Sequence, residues 1–376
     1  MKIVLDAQSI VESRTGVGRY TLNLLLACAR RESRHQWIPF YFNFRRRFCE
    51  QSLWESIPNV FPCEVRKVPG FLLHHLWKIA PLFPMDYFTG KADLFLFPNF
   101  TQKPLQSGKK ILTVHDLAFR RHPETLMPKN LRWLRKSFED SLKKSDAVLT
   151  VSEFSKQELL HFYPDLKSPV WVTHNGVDEF LNCIITDTQL IEVRERYRLP
   201  EKFLLYVGTI EPRKNLILLL RAFALLKKKF PELKLVFIGK KGWLSFHFNR
   251  VMQDLKLEKE SIFLGFVHST DLSAIYRLAQ LFVFPSLYEG FGMPPLEALA
   301  LGTPVLTSSI PPHKEVLGDA AFYEDPNAPP ENWCERMEEI LSSPEKKEHA
   351  KKEGPKRAAH FTWDNTARKT IQAIEA

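Results

Sequence analysis

The amino-acid sequence predicts an α/β protein built from two doubly wound, Rossmann-like domains. Short apolar runs alternate with stretches of helical periodicity, the pattern of a parallel sheet whose strands are joined by crossover helices. The series breaks between about Asp178 and Pro200, where polar residues and a Thr-Asp-Thr sequence interrupt the periodicity. A chain of 376 residues is too long for one ordinary core and suits two, each able to bury a sizeable apolar interior.

In the first half the candidate strands are Ile3–Leu5, Trp37–Phe42, Leu94–Phe97, Ile111–Val114, Ala147–Val151 and Val170–Thr173, with helical patterns at Arg19–Ala29 and Leu131–Leu142. In the second half, strands are read at Phe203–Val207, Lys234–Ile238, Ile262–Leu264, Leu281–Phe284 and Val305–Thr307, separated by helical stretches that include Leu216–Lys229 and Leu272–Ala279. Thr362–Ala376 reads as one more helix. The domains are accordingly placed at residues 1–180 and 181–360, with a C-terminal helix at 361–376 that is a candidate to cross back onto the first domain. Open α/β sheets bind ligands beyond the carboxyl ends of their strands, and two such domains facing each other would form a cleft.

Composition narrows the function classes. Hydrophobic residues at 44% and charged residues at 26% are ordinary for a globular chain. The opening MKIVLDAQSI reads as a buried strand rather than a signal peptide, and no uncharged apolar stretch is long enough to cross a bilayer, so a cytoplasmic location is expected. The cysteines Cys28, Cys49, Cys63, Cys183 and Cys334 are scattered, with no pair at metal-ligand or redox spacing, and no chemistry is assigned to them. The net charge of +10 is uneven: residues 1–180 carry 26 Lys and Arg against 18 Asp and Glu, whereas residues 181–376 carry 27 against 25. Basic clusters at Arg45-Arg46-Arg47 and at Arg132, Arg135 and Lys136 suit nucleic acid, an anionic membrane face or a phosphorylated substrate. An ordinary solvated surface accounts for them equally well.

Several strand ends in the first half carry polar motifs. Gly16-Val17-Gly18-Arg19-Tyr20, preceded by Thr15, reads as a glycine-rich turn that lets backbone amides approach a phosphate or sugar. It lacks the third glycine of the dinucleotide fingerprint, and no acidic residue ends the strand Trp37–Phe42, which disfavours nicotinamide binding. A tight turn serving helix packing explains it as well. Val114-His115-Asp116 sets two polar residues directly after an apolar strand, where His115 can bond a sugar hydroxyl; a satisfied core histidine is the competing account. His115, His161 and His174 belong to no metal-ligand motif. Ser152 or Ser155 is expected to cap a helix, with Glu153 in its first turn, and His174-Asn175-Gly176 to shape a hinge. No Gly-x-Ser-x-Gly elbow is present, which argues against a serine hydrolase.

The second half is more informative. Tyr206-Val207-Gly208-Thr209-Ile210-Glu211-Pro212-Arg213-Lys214-Asn215 runs from a buried strand through a glycine turn into two adjacent cations, suited to charge-assisted bonds with a diphosphate. After Leu281–Phe284 comes a loop bearing Glu289, then Gly290-Phe291-Gly292, and a helix expected to begin near Met293 or Pro294 and to carry Glu297 in its first turn. There Glu297 can accept two hydrogen bonds from vicinal ribose hydroxyls, while Glu289 can reach a sugar undergoing transfer. The amides from Gly290 to Met293 can bind sugar or phosphate oxygens. A capping box with a solvated acid is a weaker account, because Gly-Phe-Gly is an odd choice for a plain loop.

These residues resemble the retaining glycosyltransferases of family 4, which have the two-domain GT-B fold, and the resemblance covers nearly the whole chain. It rests on the Glu-x7-Glu pattern from Glu289 to Glu297, on Gly208 with Arg213-Lys214-Asn215, on Val114-His115-Asp116 and on Gly16-Val17-Gly18. It implies that Arg213 and Lys214 bind the donor diphosphate, that Glu289 contacts the donor sugar, that Glu297 binds ribose and that His115 lies near the sugar. Catalytic roles are thus carried over to His115, Arg213, Lys214 and Glu289. Donor binding is expected of Gly16, Gly18, Gly208, Arg213, Lys214, Glu289, Gly290, Phe291, Gly292, Met293 and Glu297. The family uses no metal, so no cofactor is expected, and the cations would stabilise the leaving diphosphate. The loop reads Gly-Val-Gly rather than the family's common Gly-Gly, which leaves the contacts of Gly16 and Gly18 open.

Within the family the motifs are most similar to bacterial mannosyl- and rhamnosyltransferases of surface polysaccharide synthesis. This implies a nucleotide diphosphate sugar as partner, a GDP-sugar ahead of a UDP-sugar, with a glycan or lipid-diphosphate-linked acceptor and no nucleic acid. A basic first domain suits peripheral contact with an anionic membrane, and Phe71–Lys78 can serve as an amphipathic contact or as a buried helix. The alternatives are a nucleotide-sugar 2-epimerase on the same fold and a basic nucleic-acid-binding protein, the latter without a recognised motif.

Overall fold

The computed structural model describes residues 1–12, 16–44, 54, 56–79, 82–178, 185–240, 242 and 245–376. Thr15, the Arg45-Arg46-Arg47 cluster, Cys49 and Cys183 lie outside these, as do the side chains of Phe71, His74, His75 and Lys78. The chain divides into two compact units: Met1–Phe119, Pro128–Gly176 and Thr362–Ala376 make the first, Arg120–Met127 and Val177–Phe361 the second. The division therefore falls after Gly176, a few residues earlier than the sequence pattern places it.

Among the described residues the first unit holds a seven-stranded sheet, β1 (Lys2–Asp6), β2 (Gln36–Phe42), β3 (Cys63–Val65), β4 (Leu94–Phe97), β5 (Lys109–Val114), β6 (Ala147–Thr150) and β7 (Val170–Val172). The order is β3-β2-β1-β4-β5-β6-β7, and every pairing is parallel. The central strands β4 and β6 are buried throughout. Their unbroken apolar runs follow from that burial, since crossover helices cover both faces of such a sheet. β3 is a short, half-buried edge strand, and it lacks the continuous apolar run that marks the others.

The segment read as a glycine turn is already helical. The helix Gly16–Arg31 starts at Gly16 and buries Gly18, Tyr20, Thr21, Leu24, Leu25, Cys28 and Ala29, an apolar stripe at helical spacing. Gly18 is thus part of the packed face. Ser152 caps the helix Glu153–Phe162, its hydroxyl accepting from the Ser155 amide at 2.9 Å.

The helix Trp363–Glu375 belongs to the first unit and packs on Gly16–Arg31. It buries Trp363, Thr366, Ala367, Thr370, Ile371, Ala373 and Ile374. Asp364 takes both carboxylate contacts of Arg31 at 2.7 Å, and Thr366 donates to the His174 carbonyl at 2.5 Å. A Cβ on Gly176 would lie 2.2 Å from the Trp363 amide nitrogen. Gly176 is therefore required by the close approach of the returning chain, a tighter constraint than the hinge expected from Asn-Gly.

The second unit repeats the topology. Its strands are β8 (Phe203–Val207), β9 (Lys234–Ile238), β10 (Ser261–Gly265), β11 (Leu281–Phe284), β12 (Val305–Ser308) and β13 (Phe322–Glu324), in the order β10-β9-β8-β11-β12-β13 and again all parallel. In each sheet the direction of winding reverses beside the first strand, between β1 and β4 and between β8 and β11. Those are the switch points at which open α/β sheets leave a crevice for ligands.

Candidate functional site

At the carboxyl end of β8 the backbone turns at Gly208, with φ +152°. The neighbouring strand, β9, is followed by Gly239, with φ +135°, whose hypothetical Cβ would sit 2.2 Å from the Gly208 carbonyl oxygen. Two glycines thus let two strand ends touch through backbone alone. From there the chain reaches Glu211 and a 3-10 turn, Pro212–Lys214, closed by Asn215 in the left-handed conformation at φ +54°. The Asn215 amide group holds that geometry by donating to the Pro326 carbonyl at 3.0 Å. The helix Leu216–Leu226 then starts with Arg213 and Lys214 left at the switch point.

The loop after β11 is tied to this turn. Leu287 N–H donates to the Arg213 carbonyl at 2.9 Å, and Arg213 Nη1 donates to the Tyr288 carbonyl at 2.9 Å and to Glu289 at 3.1 Å. Lys214 Nζ donates to the other Glu289 oxygen at 2.5 Å and lies 5.0 Å from the centre of the Phe284 ring. Glu211 holds the far side of the guanidinium, accepting from Nε at 3.2 Å and Nη2 at 2.9 Å. Two cations and two carboxylates are interlocked with little exposure to water. Burial by itself would raise the Glu289 carboxyl, but Arg213 and Lys214 outweigh it and hold it at about 2. The group is a carboxylate at any physiological pH.

Gly292 follows in the left-handed conformation at φ +97° and opens the helix Met293–Ala300, with Pro294 and Pro295 in its first turn. Gly290, Phe291 and Gly292 are buried. Because the helix begins four residues earlier, Glu297 sits in its second turn, a correction to the first-turn placement. It is buried, and Tyr276 Oη donates to its carboxylate at 2.9 Å.

His313 was not singled out by the sequence, yet it lies directly under this loop. A Cβ on Gly292 would meet its Cδ2 at 2.9 Å and its Nε2 at 3.1 Å. The Thr307 hydroxyl donates to the Phe284 carbonyl at 2.9 Å, so its oxygen accepts from His313 Nδ1 at 2.8 Å. Burial pushes the imidazole down to about 4, against the opposing pull of Glu289. Glu211 and Tyr276 were also missed. Glu211 had a signal, standing two residues before Arg213, whereas Tyr276 had none because its partner is brought close only by the fold.

In the first unit, His115 stands at the end of β5, and its Nε2–H donates to the Pro98 carbonyl at 2.7 Å. The Tyr20 ring meets it edge-on at 4.7 Å and Phe100 at 5.8 Å. Burial lowers its pKa, which favours the neutral ring with Nδ1 as acceptor. Gly16 is exposed at the start of its helix, where an added Cβ would meet nothing within 4 Å. The sequence-predicted residues Arg213, Lys214 and Glu289 are thus in direct contact, Gly208 and Gly290 to Glu297 continue the same strand ends, and Gly16, Gly18 and His115 belong to the first unit.

The chain is similar to known glycosyltransferases in sequence and in fold. The model described as Glycosyltransferase Family 4 matches residues 14–179, and that described as Glycosyl transferases group 1 matches residues 188–357. O-antigen chain mannosyltransferase B of Escherichia coli is 30% identical over 100% of both chains. Among solved structures, sucrose-phosphate synthase from Thermosynechococcus elongatus aligns with a TM-score of 0.75 at 18% identity, covering 100% of this chain and 98% of that one. HepE of Anabaena, in complex with UDP and glucose, gives a TM-score of 0.73 at 15% identity, covering 100% and 99%. The structural likenesses establish the GT-B fold, and the family matches over both units with the full-length relative show that this chain belongs to the glycosyltransferases of family 4.

Proposed function

We propose that the enzyme transfers a hexose, mannose or a related sugar, from a nucleoside diphosphate donor to a glycan or lipid-diphosphate-linked acceptor, with retention of configuration and without a metal. The observation that carries this reading is the convergence of Arg213 and Lys214 at the β8/β11 switch point. Fixed cations in a water-poor site stabilise the charge that develops on a leaving diphosphate. The E. coli relative, a mannosyltransferase by name, supports a GDP-linked donor; the complex of HepE with UDP keeps a UDP-sugar as the second option.

Glu289, ionised and held by both cations, orients a donor-sugar hydroxyl, and Glu297 accepts from the ribose. His115 accepts a sugar hydroxyl through Nδ1. No side chain is assigned as nucleophile. The bond from the anomeric carbon to the phosphate oxygen breaks as the acceptor oxygen bonds that carbon on the same face, and the acceptor proton passes to the leaving phosphate oxygen. A trapped glycosyl-enzyme intermediate would overturn this route.

Among the described residues no helix is long and apolar enough to cross a membrane. The helix Gly70–Ile79 exposes Leu72 and Leu76, and Leu82, Phe83 and Tyr87 nearby in the chain are exposed as well. Trp77 Nε1 anchors that stretch by donating to the carbonyls of Leu82 at 3.0 Å and Phe83 at 3.2 Å. These exposed apolar residues support peripheral contact with a membrane, and we place the enzyme in the cytoplasm at the inner membrane face.

A thermal-shift screen of GDP, UDP and ADP with their sugars tests the donor. Acceptor-dependent release of nucleoside diphosphate, unchanged by EDTA, tests transfer. Release without acceptor at the same rate, or formation of an epimerised nucleotide sugar, would overturn the reading.

A further inference from the structure

The first unit has its own switch point, between β1 and β4, and it holds an ion pair that the donor chemistry does not use. Lys103, in the loop after β4, donates from Nζ to Asp6 Oδ1 at the carboxyl end of β1. Its side chain keeps 6% of its surface, that of Asp6 17%. A lysine this dry is rare without full pairing, because desolvating an ammonium is costly. Among the described residues, however, the ammonium makes one hydrogen bond, and its other neighbour is the face of Phe40 at 5.5 Å. An ammonium carries three donors. The carboxylate is lopsided in the same way: Oδ1 also accepts from the Gln8 amide at 3.2 Å, and among the described residues Oδ2 accepts no hydrogen bond.

The loop that carries Lys103 is under constraint. Phe100 adopts φ +50°, a conformation that bulky L-residues avoid and that persists where the surroundings enforce it. Its amide is held by the Thr113 carbonyl at 3.2 Å, and Pro98 in the same loop receives the His115 Nε2–H bond. One strained loop therefore anchors both the ammonium beside β1 and the imidazole after β5.

We propose that Asp6 and Lys103 form a subsite for hydroxyl groups of the acceptor sugar. A sugar hydroxyl is donor and acceptor at once, so it can give its proton to Asp6 Oδ2 and receive an N–H from Lys103. The pair sets one acceptor oxygen beside an ammonium with spare donors, which matches the combined donor and acceptor character of a sugar hydroxyl. This assignment rests on the transferase reading and adds to it which residues recognise the acceptor.

The test uses the full-length protein with methyl α-D-mannopyranoside and its monodeoxy analogues as probes, followed by saturation-transfer NMR. The wild type is expected to bind the parent glycoside and to bind at least one deoxy analogue at least tenfold more weakly. Asp6→Asn and Lys103→Met are expected to weaken the parent at least tenfold and to narrow the difference between analogues. The double variant Asp6→Asn/Lys103→Met removes both charges together, leaves no unpaired buried charge and decides the matter if a single variant does not fold. Folded variants that bind the glycoside like the wild type, or a wild type that binds none of the probes, would overturn the assignment. The thermal shift with GDP, UDP and ADP is recorded on the same proteins. Its absence in the wild type would count against the donor reading, whereas loss of glycoside binding with that shift intact isolates the Asp6–Lys103 subsite.

Discussion

Tyr276 donates its phenolic hydrogen to the Glu297 carboxylate at 2.9 Å, and both side chains are buried. The bond fixes the orientation of the carboxylate from a neighbouring helix, Ser269–Leu278. Tyr276→Phe is expected to weaken nucleoside diphosphate binding about 5- to 10-fold, the effect of losing roughly 1–1.5 kcal/mol of hydrogen bonding. Glu297→Ala should weaken it further, with the main effect on affinity rather than turnover. Calorimetric titration checks both.

The Lys214–Glu289 pair makes a sharper demand. Lys214→Ala and Glu289→Ala should each lower kcat roughly 100- to 1000-fold, the range seen when one preorganised electrostatic group is removed. Each variant should still fold with a lowered Tm, because one buried charge loses a partner. Steady-state kinetics beside a thermal melt separates the two effects; near-normal turnover in either variant would remove these residues from the site.

Acid should destabilise the second unit in two stages. His313 has its folded pKa lowered by burial to about 4 from 6.5, so the unfolded chain takes up its proton first as pH falls. The stability that depends on a neutral His313 is complete above pH 6.5 and is lost between 6.5 and about 4, to the extent of about 3 kcal/mol. Glu289, depressed to about 2 from 4.5, contributes stability that is present above pH 4.5 and lost between 4.5 and about 2. Urea midpoints from pH 7.5 to 3 should follow this course. His313→Asn should flatten the upper stage and leave the lower one.

Gly176→Ala should loosen the last helix. The added methyl would stand 2.2 Å from the Trp363 nitrogen and 2.6 Å from the Thr362 carbonyl carbon, both backbone atoms that cannot step aside alone. A loss of about 2–4 kcal/mol is expected, as for severe steric strain. Hydrogen exchange across Trp363–Glu375 should accelerate well before exchange in the second unit.

The central strands of both sheets were legible because burial on two faces demands unbroken apolar runs, as in Leu94–Phe97 and Leu281–Phe284. The edge strands Cys63–Val65 and Phe322–Glu324 were not. Each is three residues long and half-buried, and each contains a glutamate, so no run or alternation marks it. The Gly16–Gly18 segment misled because glycines favour turns locally, whereas here helix packing decides. At the site, Arg213, Lys214, Glu289 and Glu297 could be named because they lie at strand ends in motifs. Their supports Tyr276 and His313 could not, since they approach from elements whose spacing in space no local pattern encodes.

The return of Trp363–Glu375 to the first unit bears on how the chain is made. During synthesis the residues up to Gly176 emerge first, but Gly16–Arg31 keeps an uncovered apolar face until the last helix leaves the ribosome. The second unit, continuous from Val177 to Phe361 apart from the short Arg120–Met127 segment, can complete its core earlier. The half of the enzyme translated first is therefore the one finished last, and a nascent or C-terminally trimmed chain would present that unfinished face to chaperones.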